Sequence, residues 1–96
     1  MIGVIAKLKI KPEMTAEFEA AASALVAAVN ANETDCLMYE LYKSPQDHSS
    51  YVFMEKYANK AALDAHGKTD YFMAAQGKLG PCLTEAPDVQ TYIPVG

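Results

Sequence analysis

The chain has no arginine and no tryptophan, and its eight cations are all lysines, spread singly against twelve acidic residues for a net charge of −4. The clustered cationic stripe that neutralises nucleic-acid phosphates is missing, so nucleic acid is not an expected partner. Without a guanidinium there is no planar, bidentate clamp for phosphate or carboxylate, and that task would fall to lysine. No apolar run approaches the ~18 residues of a membrane span and no signal segment is evident, so the expectation is a cytoplasmic protein with no membrane partner. Cysteine is scarce as well. Cys36 and Cys82 show neither CxxC nor Cys/His ligand spacing, which favours buried thiols over a disulfide or a metal site.

What is present suits a single domain over residues 1–96, with 51% of the residues hydrophobic and a core kept thin by the chain's length. In "MIGVIAKLKIK", Ile2, Val4, Ala6, Leu8 and Ile10 share one face and Lys7, Lys9 and Lys11 the other, the pattern of a strand with one buried face. After Pro12 the period changes to 3.6. Phe18, Ala22, Leu25, Val26 and Val29 recur at helical spacing in an alanine-rich run that the polar "NANETD" ends. "CLMYELYKS", the turn "PQDHSS" and "YVFMEKYA" read as a hairpin of two tyrosine-rich strands.

Asn59 is placed to cap a short helix through Leu63 to His66, stopped by Gly67. Thr69 is placed to cap a second helix with Phe72, Ala75 and Leu79 on one side, terminated at "GPC". "DVQTYIPV" is the last predicted strand, with Pro94 suiting a sheet edge. The order strand, helix, strand, strand, helix, strand predicts a ferredoxin-like α+β fold, βαββαβ, with one antiparallel sheet carrying its helices on one face. Parity along the hairpin sets Leu37, Tyr39 and Leu41 against Met38 and Tyr42, and Tyr51, Phe53 and Tyr57 against Val52 and Met54. Both faces thus hold large side chains while the helices cover one. A second copy packed sheet to sheet, a homodimer, is the expected cover.

The candidate chemistry lies in "EKYANKAALDAH". Glu55 shares a strand face with Phe53 and Tyr57, placing a carboxylate among aromatics. A plainer alternative is a glutamate that reaches water or pairs with Lys7 or Lys9. His66 follows Leu63 by three residues and so shares the apolar stripe of its helix, where a histidine serves either as a core or C-capping residue or as an acid/base. In the latter case Glu55 would accept from one ring nitrogen while the other faces a substrate. His48, in the turn, is expected in solvent. Tyr39, Tyr57 and Tyr71 would bring hydroxyls to an otherwise apolar cavity, one that suits a flat aromatic ligand.

The segment from Cys36 to Phe72 resembles the antibiotic-biosynthesis monooxygenase family, whose pattern runs Gly-Cys-Leu-x-Tyr-Glu-Leu, then Glu-x-Trp, then Ala-Leu-x-x-His and a following aromatic. Tyr39-Glu40-Leu41, the interval from Glu55 to His66, Ala62-Leu63 and Phe72 all fall in place. The resemblance implies a homodimeric α/β barrel that oxidises a quinol or polycyclic phenol, a small aromatic substrate, with dioxygen as co-substrate and no cofactor or metal. It implies His66 as acid/base, Glu55 as its orienter, and Tyr39, Tyr57, Tyr71 and Phe72 around the substrate. Asp35 stands in place of the family's glycine, which would suit a left-handed backbone, and Tyr57 in place of the tryptophan. The tyrosine variant, with Lys68 shortly after His66, also resembles relatives that process a phosphorylated autoinducer sugar. A non-catalytic ligand-binding dimer is the third alternative on this scaffold.

Overall fold

The computed structural model describes residues 1–96. Strand β1 (Ile2–Lys9) leads through a 3₁₀ turn at Pro12–Met14 into helix α1 (Thr15–Asn32). Strands β2 (Cys36–Lys43) and β3 (Ser50–Tyr57) form the hairpin, helices α2 (Lys60–His66) and α3 (Asp70–Leu79) follow, and strand β4 (Asp88–Tyr92) closes the chain. The four strands lie in the order β2-β3-β1-β4, each antiparallel to its neighbour. This is the ferredoxin-like α+β arrangement.

The alternation seen in the first segment places Val4, Ala6 and Leu8 of β1 and Phe53 and Tyr57 of β3 on the face under the helices, where all are buried. Against them α1 lays Phe18, Ala22, Leu25 and Val29, spaced four, three and four residues apart, as one helical stripe requires. Phe18 is fully excluded from solvent, and its ring meets Tyr51 at 4.6 Å between centroids. Burying side chains of this size contributes ~1.5–3 kcal/mol each.

Both predicted caps form. The Asn59 side chain accepts from the Ala62 amide at 2.9 Å, and the Thr69 hydroxyl oxygen accepts from the Phe72 amide at 3.3 Å. Thr69 also donates to the His66 carbonyl at 3.0 Å, tying the end of α2 to the start of α3.

Three expectations are corrected. On β2 the register runs from Cys36 opposite Tyr57 to Met38 opposite Lys56, so Leu37 is an extra, bulged residue. Strict alternation groups Leu37 with Tyr39 and Leu41; Tyr39 and Leu41 do pack on the core, joined there by Cys36, while Leu37 is 52% exposed. No residue other than glycine has a positive φ, so Asp35 holds its place without a left-handed backbone. The last strand ends at Tyr92 rather than continuing through Pro94, since proline has no N–H for the ladder.

The sheet's other face carries Ile5, Val52, Met54 and Tyr42 in adjoining register positions, interspersed with Lys7, Lys56 and Glu40. Cys36 and Cys82 are free thiols, the latter in the core. No helix is long and apolar enough to cross a membrane.

Candidate active site

Helix α2 has only seven residues and ends on His66, whose ring points into the protein. His66 is buried, and the other fifteen of the sixteen buried residues are apolar, tyrosine or cysteine. Three aromatic rings surround it, with centroids 4.7 Å away at Phe72, 5.0 Å at Tyr39 and 5.5 Å at Tyr57. Nδ1 of His66 lies 3.1 Å from both carboxylate oxygens of Glu33. Glu33 is the residue that caps α1, its own amide donating to the Val29 carbonyl at 2.9 Å. The Tyr71 hydroxyl donates to the same carboxylate.

With Nδ1 occupied, Nε2 of His66 has no partner in the protein, yet no buried polar side-chain atom is left unsatisfied. It therefore opens to space. That space is a cavity of about 280 Å³ between the sheet and helices α2 and α3, whose walls include Tyr39, Glu55, His66, Phe72 and Gln76. Eleven of its sixteen lining residues are hydrophobic.

Glu55 sits opposite Val4 on one side and Tyr39 on the other, in the floor of this cavity. One of its oxygens accepts from the Tyr57 hydroxyl at 2.6 Å, and the other has no protein partner. Burial pushes its pKa above the usual carboxylate value, partly offset by Tyr57's donation and the nearby His66, while Glu33 adds a small rise. The Tyr39 hydroxyl also lacks a protein partner, and burial holds its phenol well above the ordinary tyrosine range, so it remains a donor.

The expected pairing of Glu55 with His66 is thus corrected: the two share a cavity, but Glu33 holds the imidazole and Tyr57 holds Glu55. Tyr57 is fully buried and Tyr71 is turned to Glu33, so neither lines the cavity, whereas Tyr39 and Phe72 do. Burial and the Glu33 bond push the Tyr71 phenol up to about 12.

The chain matches the family model of the antibiotic biosynthesis monooxygenases over residues 1–78. It belongs to that family. Among this family's members of known structure, a candidate antibiotic biosynthesis monooxygenase from Caulobacter crescentus CB15 is 43% identical, with a TM-score of 0.95 over 99% of this chain and 90% of that one. YcnE of Bacillus subtilis, a candidate monooxygenase by name, is 33% identical over 87 residues, 91% of this chain and 90% of its own length. An uncharacterized Synechocystis protein is 30% identical over 91 residues, 95% of this chain; the chain spans 61% of that protein's length.

Glu55 and Tyr57, two residues apart on β3, are joined by the donation of the tyrosine hydroxyl to the carboxylate. Glu33 went unnoticed in the sequence because it stands in a polar turn, 33 positions from His66. Nothing local marks it as anything but the end of a helix.

Proposed function

We propose that the protein is a monooxygenase that oxidises a small phenol or hydroquinone with dioxygen in the cavity at His66. One observation carries this reading: three polar groups without protein partners, His66 Nε2, one Glu55 oxygen and the Tyr39 hydroxyl, open into a single apolar cavity. The phenol gives its proton to Nε2, and the resulting anion is electron-rich enough to reduce dioxygen itself, so no bound cofactor is required. A bond forms between a ring carbon and one oxygen, and the imidazolium protonates the outer oxygen to a hydroperoxide. Glu55 then removes the proton on that carbon as the O–O bond breaks and the carbonyl forms. The hydroxide released takes that proton from Glu55 and leaves as water. Phenol plus dioxygen thus gives quinone plus water, with one oxygen atom in each product. Tyr39 donates to the oxyanion that develops on the ring.

The cavity lies just below the ~300–1,000 Å³ usual for ligand pockets, so the substrate is a one- or two-ring phenol rather than a larger polycycle. None of the lining residues is a lysine, Lys68 included. A sugar phosphate would meet the Glu55 carboxylate with no cation beside it, which disfavours the isomerase alternative. The outer sheet face, apolar at Ile5, Val52 and Met54, is proposed to bind a second copy, completing a dimeric α/β barrel.

Oxygen uptake with one- and two-ring hydroquinones, under air and under ¹⁸O₂, tests the reading. The expected product carries one ¹⁸O atom and forms faster than by autoxidation. Saturable binding without turnover across the panel would replace the enzyme with a binding protein.

A further inference from the structure

We propose that Glu33 is the positioning residue of His66: it fixes the ring tautomer with the proton on Nδ1 and so turns the lone pair of Nε2 toward the cavity. The inference rests on the acid/base reading of His66 given above. A carboxylate offers only acceptors, and both of its oxygens stand 3.1 Å from Nδ1. The nitrogen facing them is therefore the one that carries hydrogen, whether the ring is neutral or charged. Tyr71 donates to the same carboxylate from the first turn of α3. Glu33 is thereby fixed from two directions, by residues 33 and 38 positions away in the chain.

Glu33 caps the C-terminus of α1 and His66 ends α2, so the ends of these two helices meet at the hydrogen bond between them. The ring is held at Nδ1 by Glu33 and packed among the tilted rings of Tyr39, Tyr57 and Phe72, leaving Nε2 as its only unengaged polar atom.

Glu33 does not border the 280 Å³ cavity. It borders a separate crevice of about 230 Å³ on the outside, beside Asp35, Cys36 and Ala65. A small carboxylate from solution can therefore reach the place of the Glu33 side chain without entering the substrate cavity.

The test combines ¹⁵N NMR of the His66 ring with kinetics of Glu33→Ala and Glu33→Leu. In the wild type, the neutral ring should show hydrogen on Nδ1 and a bare Nε2. In Glu33→Ala the two tautomers should mix, kcat should fall roughly 10- to 100-fold, the range seen for orienting partners of histidine elsewhere, and KM should barely change. Sodium formate should restore part of kcat in Glu33→Ala and none in His66→Ala. Should Glu33→Ala unfold, Glu33→Leu fills most of the volume without offering an acceptor and reports the tautomer. A wild-type tautomer that survives in both variants, or undiminished kcat in both, would overturn the proposal. A tautomer that shifts as expected in a protein without turnover would sustain the positioning role and refute the monooxygenase reading instead.

Discussion

Tyr57 donates its hydroxyl to Glu55 at 2.6 Å from two places further along the same strand. That bond and the nearby His66 only partly offset the cost of burying the carboxylate, and the pKa of Glu55 stays raised above 4.5. A raised carboxylate pKa means that the folded state binds the proton more tightly than the unfolded state. Its stabilising effect is full at low pH and is lost as pH rises from about the unfolded value through the folded one.

Replacing Glu55 by glutamine, which mimics the protonated form, should therefore stabilise the fold increasingly as pH rises above about 4.5. Thermal midpoints of both proteins between pH 4 and 8 measure this. A Glu55→Gln midpoint that falls further below the wild type as pH rises would contradict it.

Phe18 is fully buried and packed on Tyr51. Phe18→Ala should cost ~3–5 kcal/mol, a large part of the ~5–15 kcal/mol that holds a domain together. Urea denaturation gives the value, and a loss under ~1 kcal/mol would mean that the site collapses to fill the space.

Asn59 caps the helix that carries His66. Asn59→Ala should lower stability by ~1 kcal/mol, and hydrogen exchange should rise in α2 more than in α1, because seven residues cannot sustain a helix alone. Uniform exchange across both helices would place the effect elsewhere.

Met54 lies between Ile5 and Glu40 on the outer face. If a second copy covers that face, sedimentation should give twice the 10.4 kDa chain mass, and Met54→Asp should give the single chain mass, since an unpaired buried charge costs several kcal/mol. A wild type that sediments as one chain at micromolar concentration would contradict the assembly.

Those elements whose signal is local could be read from the sequence. The α1 stripe and the caps at Asn59 and Thr69 each depend on residues within a turn or two. Strict alternation on β2 failed at Leu37, because a bulge is a choice between two registers that both leave large side chains on each face. Parity and helical spacing turn Tyr39, Glu55 and His66 inward, and the family resemblance implies Phe72 beside them, but the same reasoning also puts Tyr57 and Tyr71 at a cavity that they do not line. The partner of His66 was not legible in this way, since Glu33 follows the far end of α1 and only the docking of α1 on α3 and the sheet brings it to the histidine.

His66→Ala puts the central claim to its most direct measurement. Initial rates of dioxygen uptake are compared for wild type and variant with the best one- or two-ring hydroquinone, each corrected for autoxidation. If Nε2 takes the substrate proton, the variant should be roughly 10²–10⁴-fold slower while its thermal unfolding remains cooperative. A cooperatively folded His66→Ala protein with undiminished oxygen-dependent turnover would remove the imidazole from the chemistry and contradict the account.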